Sequence, residues 1–273
     1  MKQTIIPIIF TVLAFLVACN KENIITTAET DVPVVEAYLE PGKEVVVNLS
    51  KMVPFTEEEF SGSLTIDSAE VYIKYNEIEY LLEPVSDDPG KYVSQDSNLV
   101  VLPGNDYALS FDYNGHSVTS TTSIPTRPIN TSLNPSVLYI DPYAMGPGMS
   151  QNKVAVYWDN PDNIYHLIII EYMESSYDPI SPNLDPESFD QYRKVSTKPV
   201  LETSYDLDTR RQLAFFGTYK IIIYKVNEEY VNLHENISQS SLNLTEALTN
   251  IENGLGIFTG INSDILFLEV VKI

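Results

Sequence analysis

Tyr107-Ala108-Leu109-Ser110-Phe111-Asp112-Tyr113-Asn114-Gly115-His116-Ser117-Val118-Thr119-Ser120-Thr121-Thr122-Ser123-Ile124 alternates apolar and polar side chains on both sides of one Asn-Gly pair. A period of two places alternate residues on opposite faces, so each flank reads as a strand with one packed side. Asn114-Gly115 predicts a type I′ turn, because both central residues tolerate positive φ. The stretch is therefore a β-hairpin, Tyr107–Tyr113 against Ser117–Ile124. Upstream the pattern repeats. Ala69, Val71, Ile73 and Tyr75 share one face, with Glu70, Tyr72 and Lys74 opposite. Further strands are expected near Val32–Leu39, Glu44–Val53, Ser68–Tyr75, Glu79–Pro84 and Lys91–Gln95. Seven short strands in so little chain predict a sandwich.

From Thr119 to Pro135 the composition turns to Ser, Thr and Pro, with Pro125, Pro128 and Pro135, which reads as an interdomain boundary. Beyond it, Lys153–Trp158 and Tyr165–Met173 flank Asp159-Asn160-Pro161-Asp162. This Trp-x-x-Pro turn before a Tyr-led apolar strand resembles the second and third strands of a fibronectin type III domain. The resemblance implies a core role for Trp158. Tyr177–Tyr192 reads as a Pro- and Asp-rich excursion, and strands resume at Val200–Leu207 and Gln212–Val226. Tyr230, Leu233 and Ile237 predict one helix from Asn227 to about Ser238, with a shorter one over Leu244–Leu248. A last strand is expected at Ile265–Val271. The expected fold is thus all-β: two immunoglobulin/fibronectin-III-like β-sandwich domains, 32–127 and 128–273, with a short helical segment in the second.

The amino terminus carries an address. Lys2 precedes an apolar run from Ile5 to Val17, too short for the ~20 residues that span a bilayer as a helix. It fits a secretory signal over residues 1–18. Leu16-Val17-Ala18-Cys19 resembles a bacterial lipobox. That resemblance implies cleavage between Ala18 and Cys19, and acylation of Cys19 by palmitate-like chains. Cys19 is the one Cys of the chain, so no intrachain disulfide can form. Residues 19–31 are polar and read as a flexible tether. Asn20-Lys21-Glu22-Asn23 lacks the Asp of inner-membrane retention. Its Lys-Glu pair partly resembles the Bacteroidota surface-export signal, which implies an outer-membrane lipoprotein exposed on the cell surface, with the periplasmic face as the alternative.

The chain has 16 Lys and Arg against 38 Asp and Glu, a net charge of −22. Phosphate backbones are bound by cations, so nucleic acid is an unfitting partner. The three His residues, 116, 166 and 234, form no H-x-x-H pattern, and no Cys stands near them. Asp206-x-Asp208 lacks the Gly and Glu of a calcium loop. Gly254-Leu255-Gly256 lacks the third Gly and the helix of a dinucleotide motif. No G-x-S-x-G elbow occurs. No catalytic residue, metal site or cofactor is expected. Asp67-Ser68-Ala69 matches a short Bacteroidota O-glycosylation pattern at Ser68, a triplet that this composition also produces by chance.

In order along the chain stand the lipobox, Val34–Leu39, Val47–Phe55, Gly90-Lys91-Tyr92, Pro103–Tyr107, Ile124–Pro128 and Asn250–Phe258. This succession resembles a family of Bacteroidota lipoproteins described as a domain of unknown function. The resemblance implies association with TonB-dependent outer-membrane receptors and supplies no catalytic residues. The function expected is a non-enzymatic accessory or binding module for an unknown ligand, joined to the membrane by its lipid. An anchored hydrolase with a dispersed site, or a surface adhesion component, is the alternative. Exposed Tyr in Leu138–Met149 and Tyr177–Tyr192 is a candidate binding surface, with a cover for the core edge as the alternative.

Overall fold

A computed structural model describes residues 31–52, 64–143, 153–238 and 249–273. Ala18, Cys19, all of the tether but Asp31, and the expected helix at Leu244–Leu248 lie outside the described residues. Among the described residues strands dominate and helices are few, so the architecture is all-β as expected. Residues Asp31–Ile273 form one compact unit.

The first half contains β1 (Pro33–Leu39), β2 (Val46–Lys51), β3 (Val71–Tyr75), β4 (Ile78–Pro84), β5 (Lys91–Ser94), β6 (Asp106–Tyr113) and β7 (His116–Ser123). They pair in the order β1-β2-β5-β4-β3-β6-β7, every contact antiparallel. The hairpin read from the sequence is β6–β7, with Asn114 at φ 49° and Gly115 at φ 79°. Alternation delivers the core: Val35, Ala37 and Leu39, then Val71 and Ile73, then Tyr107, Leu109 and Phe111, all buried. Each such side chain removed from water contributes about 1.5–3 kcal/mol, offset by the entropy of ordering the chain.

The second half contains β8 (Ile129–Asn134), β9 (Val137–Ile140), β10 (Val154–Asp159), β11 (Tyr165–Tyr172), β12 (Lys194–Ser196), β13 (Ser204–Leu207), β14 (Gly217–Val226) and β15 (Leu255–Lys272), with a helix at Glu228–Ser238. One sheet runs β8-β10-β13 and faces β9-β15-β14-β11-β12 across a core that holds Trp158, Ile168, Ile170 and Phe215. Three strands against a larger sheet is the fibronectin-like sandwich predicted from the Trp-x-x-Pro turn. Trp158 is 2% exposed and packs the core. The strands β8, β9 and β12 arise where the sequence reads as linker or loop.

The excursion Tyr177–Tyr192 covers the core edge. Tyr177 meets Phe189 and Phe215 edge-on, at 6.0 and 5.8 Å between ring centroids. Its hydroxyl donates to the Leu184 carbonyl. Ile180, Leu184 and Tyr192 pack on the same core.

β15 joins the halves. Its first third, Leu255–Gly260, pairs parallel with β1, and Ile261–Val270 pairs antiparallel with β14. Ile251 and Phe258 lie in the first core, although the sequence assigns them to 128–273. Just upstream, Thr119 of β7 and Glu252 exchange backbone hydrogen bonds of 3.3 and 2.8 Å. The first-half strands thus close on themselves through a segment from the far end of the chain. The stretch 125–128 divides the two cores, while the chain itself crosses between them again at Gly260–Ile261.

Candidate functional site

The segment expected as a boundary is fastened to the end of the chain. Asn262 Nδ2 donates to the Pro125 carbonyl at 2.9 Å, and Lys225 Nζ to Thr126 Oγ1 at 3.0 Å. Arg127 and the Thr131 hydroxyl both donate to the Asp264 carboxylate. Burial raises the Asp264 pKa, but the Thr131 and Arg127 donors outweigh it and the net shift is downward. His166, Lys225 and Asn262 are cross-strand partners on β11, β14 and β15, and all three are buried. Lys225 Nζ lies 3.6 Å from Asp162, which gives the buried ammonium a counter-charge. His166 stacks on Trp158 at 5.2 Å, and its Nδ1 lies 2.9 Å from the Ile164 carbonyl. The carbonyl can only accept, so Nδ1 is the protonated nitrogen and donates. Burial pushes the imidazole down to about 4, helped by Lys225.

The fastened linker delivers Asn130 to a groove of about 500 Å³ at the end of β10, where Tyr157, Trp158 and Asp159 meet the Asn160-Pro161 turn and Thr203. β10 alternates there: Trp158 points into the core, so its neighbour Tyr157 points out and is 43% exposed. Tyr157 is flanked by Ser132 on β8 and Ser204 on β13, short side chains on both sides of the ring. The register shifts between Tyr157 and Asp159. This irregularity turns Asp159 toward Asn130, whose Nδ2 donates to the Asp159 carboxylate at 2.5 Å. Asn130 holds φ 52°, a left-handed conformation that Asn tolerates better than most residues. Asn160 shapes the adjoining turn, accepting from Ile164 N and donating to the Leu201 carbonyl, each at 2.9 Å. The site offers the exposed Tyr157 ring and the buried Trp158 beside amide, carboxylate and hydroxyl groups, and among the described residues no cation lines it.

The residues singled out from sequence fall elsewhere. Ser68 is exposed in the bend before β3, which begins at Val71, and borders a shallow groove of about 310 Å³ with Glu70, Tyr72 and Asp112. His116 is exposed at the start of β7 and His166 is in the core. Asp208 caps the short helix Thr209–Gln212 through Arg210 N at 3.2 Å, and Asp206 is exposed on β13. Gly254 and Gly256 admit β1: a Cβ on Gly256 would stand 1.9 Å from the Val35 carbonyl oxygen. Of the candidate Tyr-bearing loops, Tyr139 and Tyr143 are exposed, while Leu138 and Ile140 are buried. Among the described residues no three His, Cys, Asp or Glu stand together as metal ligands, and no helix is long and apolar enough to cross a membrane. Tyr157 was not singled out from sequence. The signal was present in the alternation itself, since a buried Trp158 obliges its neighbour to face outward.

A family model described as Domain of unknown function (DUF4249) matches residues 22–264. The chain belongs to the DUF4249 family. The matched span of this DUF4249 protein takes in both cores, the groove and most of β15. No curated protein matches it in sequence. Among solved structures, the FN1-FN3 domains of chicken CNTN1 align at 14% identity over 87% of this chain and 67% of that one, with a TM-score of 0.28. A mutant of Salmonella alpha-2-macroglobulin aligns at 11% identity over 89% of this chain and 15% of that one, with a TM-score of 0.24. The sandwich assignment rests on the strand order.

Proposed function

We propose that this DUF4249 protein is a non-enzymatic binding module, anchored to the outer membrane by acylated Cys19 and serving a TonB-dependent uptake system. The observation that carries the binding reading is the groove at Tyr157. It is held by a stapled linker, and its size lies in the range of ~300–1,000 Å³ typical of small-ligand sites. Its aromatic and polar lining suits recognition rather than bond cleavage. The anchor is supported by Leu16-Val17-Ala18-Cys19, since two or more acyl chains hold a protein stably where one does not. The Lys21-Glu22 pair supports a surface position, and the resemblance to Bacteroidota lipoproteins supports the receptor partner.

The geometry of the described chain suits this arrangement. Asp31 accepts from Tyr113 Oη at 2.6 Å and Asn114 Nδ2 at 2.8 Å, so the chain emerges at the tip of the β6–β7 hairpin. β15 starts beside β1 and runs 18 residues, up to about 55 Å if straight. The test is palmitate labelling and membrane fractionation of the full chain in its own cells. The wild type is expected to carry label and sediment with outer membranes, and Cys19→Ser to lose both. Label or membrane retention in Cys19→Ser would refute the anchor.

A further inference from the structure

We infer that the Tyr157 groove binds a neutral oligosaccharide; this rests on the binding-module reading and names its ligand class. The first argument is electrostatic. Among the described residues no Lys, Arg or His lines the groove, Asp159 does, and the chain carries net −22. Phosphates, nucleotides and uronic acids would enter against that field. The second is the ring. Tyr157 projects from the middle strand of three, and its cross-strand neighbours are the serines at 132 and 204. No long side chain from those positions covers it, so a face remains for the C–H side of a pyranose, an apolar surface with a polar rim. Aromatic rings with one polar tip serve such half-wet contacts well.

The third argument is the hydrogen-bond inventory beside the ring. Asn130 spends its Nδ2 on Asp159 and retains a carbonyl that accepts. The Asp159 carboxylate keeps further lone pairs, and the Thr203 side chain both donates and accepts. Vicinal hydroxyls, each donor and acceptor at once, match this set. A peptide would bring fixed amide donors and acceptors and would pair better with a free strand edge than with a sheet face. An open groove, rather than an enclosed cavity, admits a chain that continues at both ends. The linker staples at Asn262, Lys225 and Asp264 hold Asn130 in place before the ligand arrives, which lowers the ordering cost of binding.

Trp158, the one Trp of the chain, lies under the groove and supplies the reporter. The lipidated full chain in detergent is titrated with an array of neutral oligosaccharides of glucose, mannose, galactose, xylose and N-acetylhexosamine. Trp emission and isothermal calorimetry are read together. At least one neutral oligosaccharide is expected to shift the emission and bind. Tyr157→Ala is expected to weaken that binding at least tenfold with an unchanged unfolding midpoint. Asp159→Asn, which keeps the shape, should weaken it by a smaller factor. Silence from the whole array, or binding indifferent to Tyr157→Ala, would overturn the inference. A Tyr157-dependent response to a peptide library or to acidic oligosaccharides would overturn the sugar class while leaving a binding module in place. A receptor partner recovered equally by wild type and Tyr157→Ala, with no soluble ligand of any class, would remove the groove from the binding reading as well.

Discussion

Tyr107 and Tyr219 perform the same task in the two halves. Each opens a strand and turns its hydroxyl back on the backbone just upstream. Tyr107 Oη donates to the Val100 carbonyl at 2.7 Å and accepts from Leu102 N at 2.9 Å. Tyr219 Oη donates to the Phe215 carbonyl at 2.9 Å and accepts from Ala214 N and Phe215 N at 3.1 and 2.8 Å. Both are tyrosine corners, a mark of sandwich domains. Burial raises both phenol pKa values. Tyr219→Phe leaves a buried carbonyl and two N–H groups without the hydroxyl, so it is expected to cost about 1–3 kcal/mol in urea unfolding. His166 makes a second prediction. Its folded pKa of about 4 lies below its unfolded value near 6.5. The unfolded chain therefore binds more protons between those values. The contribution of neutral His166 is complete above pH 6.5 and lost as pH falls to 4, roughly 3 kcal/mol in all. His166→Phe should flatten that part of the stability profile relative to wild type; an unchanged slope would contradict the assignment. Residue roles of this kind were only partly legible beforehand. Trp158 reads as core because its motif is local, whereas the fate of His166 depends also on Lys225, which is distant in sequence.

Among the elements, all seven first-half strands were legible, because most alternate and lie between turns with their own chemistry. The strands β8, β9 and β12 were not. Ile129–Asn134 is mostly polar because its outer face is wet, and Val137–Ile140 and Lys194–Ser196 are too short to show a period. β15 was expected only from Ile265 to Val271. Its opening residues are glycine-rich and show no alternation, and the glycines are there to let β1 approach. Gly256 has φ 99° and no room for a Cβ beside Val35. Gly256→Ala is therefore expected to push β15 from β1 and destabilise by more than about 2 kcal/mol. A melting temperature within a degree of wild type would show that the parallel pairing tolerates displacement. The groove was missed for a related reason: Asn130 is on β8, Tyr157 on β10 and Thr203 in the bend before β13, and only the register of β8-β10-β13 brings them together.

Across the whole molecule, the two cores share one strand and a polar seam. Glu229, at the start of the helix, accepts from Thr122 of β7 and Thr259 of β15, each at 2.9 Å, and Ser263 donates to Glu40 at 2.8 Å. With the linker staples, these contacts make independent unfolding of either half costly. Trp158 emission reports the second core alone, whereas near-UV circular dichroism of the Tyr residues reports both. The two signals should give one urea midpoint; two midpoints would show that the cores separate. The same rigidity suits the proposed use, a preformed site presented to a partner. Crosslinking of the lipidated protein in its own cells, followed by gentle detergent extraction and mass spectrometry, tests that use most directly. Recovery of a TonB-dependent outer-membrane receptor is the predicted result, and recovery of the lipoprotein alone would contradict it.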